Sequence, residues 1–158
     1  MQSMTTLPLQ TRLLRAIPTT PRLLRCLIAI SYTLILTITL IQPSRTPLIG
    51  PAAPPGPPDA VREAFLTFMH LIGFALLVSS LWWAFESLTT PQRALWIALA
   101  FALILSPLTE LLQTLVPGRG ASWGDWVANT LSTLLSGILI WRLWLAPPRH
   151  SSQNSPYD

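Results

Sequence analysis

Six polar side chains capable of binding or acid–base chemistry lie within twenty residues of one another: Glu110, Gln113, Arg119, Ser122, Asp125 and Asn129. The chain is only 10% charged, so this density is the sharpest signal it offers. Glu110 and Gln113 are three apart, and Asp125 and Asn129 four apart, so on helices each pair shares a face. Arg119 lies between them and is the local cation for Asp125, Glu110 or an anionic headgroup. His70, upstream, adds a titratable ring in an apolar setting. A carboxylate among apolar residues needs a partner, and the chemistry offered is recognition of a polar or charged headgroup. The other option is an acid–base pair of His70 and Glu110 acting on such a group.

Each residue also has a structural role open to it. Ser122-Trp-Gly-Asp125 has the form of a capping box, with Ser122 at the N-cap and Asp125 reaching back to a backbone donor. Asn129 can tie two helices together, and a buried histidine can simply donate to a carbonyl. Asp125, Asn129, Ser132 and Ser136 continue one face, a small-residue seam along which helices approach closely.

The elements that must position these residues are four apolar runs, at 26–41, 64–85, 94–116 and 123–145. About twenty apolar residues cross a bilayer as a helix, and the chain is 51% hydrophobic. The expected fold is therefore an all-α integral membrane protein, a bundle of four transmembrane helices. The first run has the weakest claim, at 16 residues unless Leu23 and Leu24 join it. A cleaved signal peptide over 1–41 is the alternative for it; the long basic stretch and the lack of a small-x-small site favour an uncleaved helix.

All ten basic residues are arginine, and the net charge is +4. Arg12, Arg15, Arg22, Arg25, Arg93, Arg142 and Arg149 fall on one side of the spans, and Arg45, Arg62 and Arg119 on the other. The positive-inside rule then puts both termini in the cytoplasm. These arginines flank apolar runs instead of forming a basic patch, which argues against a nucleic-acid partner. Membrane lipids are the expected partner, and self-association of the short helices is open.

Residues 1–25 form a basic cytoplasmic tail, and 26–41 the first transmembrane helix. The linker 42–58 has seven prolines and two glycines, so it is extended and extracytoplasmic. The main transmembrane domain covers 60–145, and 146–158 is a polar tail. Asp59 and Thr90 are expected N-caps, the latter with Pro91 at the first helical position. Trp82 and Trp83 suit the inner interface. Pro107 removes the hydrogen bond to the Leu103 carbonyl and is expected to kink its helix. Cys26 is the single cysteine, which leaves no internal disulfide and no cysteine metal site. A metal site would rest on His70 with carboxylates alone, so no metal or other cofactor is expected.

With the third helix ending near Pro117 and the fourth starting at Ser122, Glu110 and Asn129 each lie about seven residues, or roughly 10 Å, below the outer end. His70 lies about eleven residues from Asp59, roughly 16 Å. His70, Glu110, Gln113 and Asn129 are thus expected to line one outward-opening pocket.

The spaced set Glu110, Gln113, Pro117, Arg119, Ser122, Asp125 and Asn129 across the last two helices, with His70 upstream, resembles the VanZ-like family over about 60–144. Ser132 and Ser136 stand where that family usually has glycine, and Leu66 and Thr67 where an Asp-Lys pair is common. The resemblance implies a multi-pass protein of the bacterial cytoplasmic membrane with an accessory role in resistance to teicoplanin-type glycopeptides. Its ligand would be a lipid-linked cell-wall precursor or the glycopeptide itself, held by His70, Glu110, Gln113, Arg119, Ser122, Asp125 and Asn129. No residue is assigned a catalytic role. An enzyme acting on a lipid headgroup remains the alternative, without a G-x-S-x-G nucleophile. A small transporter would need an internal repeat, and none is visible. A purely structural bundle is the remaining reading.

Overall fold

The computed structural model describes residues 20–42, 60–116 and 120–146, with backbone alone for 61–63. Most of the basic tail, the proline-rich linker and the polar C-terminal tail lie outside the described residues, as do Asp59, Pro117 and Arg119. The described chain forms four helices and no strand: α1 Arg22–Ile41, α2 Ala60–Glu86, α3 Pro91–Gln113 and α4 Trp123–Ile140, which runs into a π-helical turn, Trp141–Leu145. The α2 helix packs antiparallel to α1 and α3 and parallel to α4, touching all three.

Among the described residues three helices are long and apolar enough to cross a membrane: α1, α2 over Ala64–Glu86, and α3. The chain is a multi-pass membrane protein by that measure. At the fourth expected span the α4 helix is formed but is not among these three, with Asp125, Asn129, Thr130 and Ser132 in its first half. The first helix is longer than its apolar core suggested, because it takes in Arg22, Leu23, Leu24 and Arg25.

Apolar side chains face outward along every helix, among them Leu34, Ile35, Phe68, Ile104, Leu135 and Ile138. Hydrocarbon outside the bundle is as apolar as leucine, so burial of such groups gains little and close packing holds the helices. The interior shows how. On α2, Phe74, Leu77, Val78 and Leu81 recur at three- and four-residue steps and are buried. They share one core with Ala98, Ala102 and Leu105 of α3. Ala94, Ala98 and Ala102 lie one turn apart and are wholly buried, a smooth ridge that brings two backbones close. At Gly137 an added Cβ would lie 2.8 Å from a Leu99 methyl of α3, and at Gly73 2.9 Å from a Leu36 methyl of α1. A side chain at either position would force the facing leucine to shift, so both glycines favour close approach of the helices.

Helix starts follow the expected chemistry. The Thr90 hydroxyl accepts from Arg93 N at 3.4 Å, with Pro91 at the first position. Ser122 Oγ accepts from Asp125 N at 3.2 Å. The α3 helix continues through Pro107. At the other end of the bundle Trp82 is more than an interfacial ring: Nε1 donates to the Pro91 carbonyl at 3.3 Å, and the ring packs on Trp144 at 6.0 Å. Arg25 stacks over Trp83 at 5.0 Å. Cys26 is half-buried against the apolar core as a free thiol.

Candidate functional site

The polar interior is gathered at the end of the bundle where α1 and α3 finish and α4 begins. His70, Ser106, Thr109, Glu110, Gln113, Asn129, Ser132 and Thr133 are all buried there or on the way to it. The α2 helix starts earlier than α4 in the stack, so His70, ten residues inside it, reaches the level of the first turns of α4.

The His70 Nδ1 nitrogen lies 3.0 Å from Asn129 Oδ1. An amide oxygen only accepts, so Nδ1 carries the hydrogen and donates it. Nε2 then faces Asp125 Oδ2 at 3.9 Å, beyond hydrogen-bond distance. Glu110 comes to the same place from α3: one donor atom from each of His70, Glu110 and Asp125 lies within 4.8 Å of the others. His70 and Glu110 are about nineteen-twentieths buried, while the Asp125 side chain keeps 22% of its surface exposed.

Ser122 links the loop to the cluster. Its backbone N–H donates to Glu110 Oε2 at 2.8 Å, while its hydroxyl caps α4. The expected capping box is thus half formed. The donor that Asp125 was expected to take is held by Glu110 of the neighbouring helix, and the Asp125 carboxylate turns to His70 instead.

Gln113 is not in the site. Its Nε2 donates to the Leu40 carbonyl at 3.1 Å and ties the last turn of α1 to α3. Nor does Glu110 lie seven residues inside its helix: α3 stops at Gln113, and Thr114–Val116 continue as turns bonded three residues back. Glu110 therefore sits in the last turn of α3, closer to the rim than the sequence implied. Arg119 and Pro117 lie outside the described residues. Of the seven expected site residues, His70, Glu110, Ser122, Asp125 and Asn129 converge.

Two features were not anticipated. Leu71 and Gly73, on the α2 turn after His70, have carbonyls that accept from side chains of two other helices: Ser132 Oγ of α4 bonds Leu71 O, and Tyr32 of α1 donates to Gly73 O at 3.0 Å. Ser132 is therefore a donor as well as a small residue. The second is a cavity of about 550 Å³ along the α3–α4 crevice, bounded by Leu103, Pro107, Leu111, Trp123, Trp126 and Thr130, with Glu110 and Ser122 at its polar end. Trp123, Trp126 and Thr130 are spaced as one helix face, a signal that was present in the sequence. The two rings meet edge to face at 5.7 Å.

No family model, no curated protein and no solved structure matches the chain. What the geometry itself shows is a multi-pass helical protein with a buried polar cluster at one end and an apolar groove leading to it.

Proposed function

We propose that the chain is a VanZ-like protein of a bacterial cytoplasmic membrane that binds a lipid-linked ligand at the outer face. The polar part of the ligand sits among His70, Glu110, Ser122, Asp125 and Asn129, and Arg119 of the following loop is the cation proposed for it. Its hydrocarbon chain lies in the α3–α4 groove, and α4 completes a fourth crossing. The observation that carries this reading is that Glu110 and Ser122 belong to both the polar cluster and the groove wall. The volume, about 550 Å³, falls in the range of small-molecule sites, and its lining is apolar up to that polar end.

Orientation follows from charge. Among the described residues whose side chains are placed, Arg22, Arg25, Arg93 and Arg142 all lie at the end opposite the cluster, and that end is cytoplasmic by the positive-inside rule. The carboxylates accept from sugar hydroxyls or an ammonium group, and Asn129 and Arg119 donate, a set suited to a glycosylated or peptide-bearing headgroup. The resemblance to the VanZ-like family adds a glycopeptide or a cell-wall precursor as the ligand class.

The test is native mass spectrometry of the detergent-purified chain. Thr130→Trp, which fills the groove, is expected to remove a co-purifying amphiphile. Ile104→Trp, on the exposed face of α3, is expected to retain it. Equal retention in both variants would overturn the groove assignment.

A further inference from the structure

We propose that His70, Glu110 and Asp125 hold a divalent transition-metal ion of the zinc or manganese class. This goes beyond the ligand reading, because the ion site stands whichever molecule enters the groove.

The first argument is charge. Two carboxylates from different helices meet here in a largely buried setting, with a donor atom of each within 4.8 Å of the other and of His70. Like charges this close in a low-dielectric interior repel, and a dication between them relieves that repulsion. The second argument is the histidine. With Nδ1–H donated to Asn129 Oδ1, the free lone pair of a neutral ring is on Nε2, and it faces an anionic oxygen across 3.9 Å. Two acceptors so placed call for a cation between them. Metal-bound histidines show this same arrangement, with the second ring nitrogen donating to an oxygen that fixes the tautomer.

The third argument comes from Asn129, which is wholly buried. Its Oδ1 is engaged by His70, but its Nδ2 has no hydrogen-bond partner among the described residues. A buried donor left this way costs about 1–3 kcal/mol, and an oxygen brought in by a bound ion, such as its water, supplies the acceptor.

Size and ligand chemistry narrow the class. A point equidistant from three atoms 4.8 Å apart is about 2.8 Å from each, so modest closure reaches the roughly 2.0–2.2 Å of zinc–nitrogen and zinc–carboxylate bonds. One imidazole with two carboxylates suits zinc or manganese better than magnesium or calcium, which prefer oxygen alone. Three protein ligands leave a coordination position open for water or a ligand oxygen. Asn129 positions the histidine and is not itself a ligand.

The experiment uses the full chain, purified in detergent through a tag without histidines, stripped with EDTA and given Zn²⁺ or Mn²⁺ alone. Elemental mass spectrometry is expected to find about one ion per chain, with a rise in thermal midpoint because only the folded state binds. Asp125→Asn, at the least buried ligand, is expected to lose both ion and shift while helicity and elution stay as in the parent. Asn129→Ala is expected to weaken binding about 10–100-fold. Arg119→Ala is expected to keep the ion. A stripped parent chain that is folded yet takes up neither metal overturns the proposal. So does uptake by Asp125→Asn equal to that of the parent. No lipid is present in the assay, so this result and the groove result fail separately.

Discussion

Glu110 on α3 accepts the backbone N–H of Ser122 at 2.8 Å and so finishes a helix start that belongs to α4. In a self-contained capping box the acid three residues after the N-cap takes that donor. Here a neighbouring helix takes it, and Asp125 is released toward His70. One hydrogen bond therefore joins two helices and sets the direction of a third side chain. It also separates the effects of substituting Glu110. Glu110→Gln keeps an oxygen for Ser122 N and is expected to leave membrane abundance near that of the parent. Glu110→Ala leaves the partly buried N–H without it, at about 1–3 kcal/mol, and is expected to lower abundance. Quantitative immunoblotting of membranes checks this, and equal loss in both variants would rule out the hydrogen bond as the cause.

Function is expected to separate from folding at the same residues. If the proposed glycopeptide role holds, Glu110→Gln and Arg119→Ala, scored for glycopeptide sensitivity in cells with matched protein level, lose the protection that the parent chain gives. Retained protection at normal abundance would refute the ligand site.

The bond from Gln113 to the Leu40 carbonyl is expected to be structural. Gln113→Leu removes the donor from a fully enclosed position and should cost about 1–3 kcal/mol. Unfolding in mixed micelles is the measurement, together with faster proteolysis near α1. Metal uptake and amphiphile retention are expected to persist in this variant, because Gln113 stands outside the site.

Gly137 faces Leu99 across the α3–α4 contact so closely that an added Cβ would displace the leucine methyl. Gly137→Ala is expected to destabilise by about 1–3 kcal/mol through overpacking. Leu99→Ala on the same chain is expected to recover part of that loss. A double-mutant cycle read by thermal midpoint tests the pair, and strictly additive effects would show that the contact does not limit the helix spacing.

Ser122→Ala removes the hydroxyl cap of α4 and is expected to cost about 1 kcal/mol, leaving the Ser122 N–H to Glu110 bond in place. The check is a thermal midpoint compared with Ser122→Asp, which restores a cap acceptor and should sit near the parent.

The helices were legible in the sequence because apolar length is a strong signal, and the caps at Thr90 and Ser122 because short hydroxyl side chains there have a specific local use. Where α3 stops was not. Leu115 and Val116 continue the apolar pattern past Gln113, and composition does not show the turn bonding that begins there. Glu110 and Gln113 were paired by spacing, yet residues three apart on a helix diverge by about 60°. That angle is enough to send one to α4 and the other to α1. The convergence of His70, Asp125 and Asn129 followed from depth and face together. The groove was missed because its two walls belong to different helices and become a site only when packed.

The Gln113–Leu40 bond spans 73 residues of chain, and that separation sets an order of assembly. When the end of α1 emerges during synthesis, the side chain that will fasten it has not been made. The first helix can pack on α2 through Tyr32 and Leu36 as soon as α2 is inserted, but its last turn is fastened only after nearly all of α3 has followed. Any truncation between α2 and Gln113 therefore leaves α1 held by α2, with its last turn lacking the Gln113 bond.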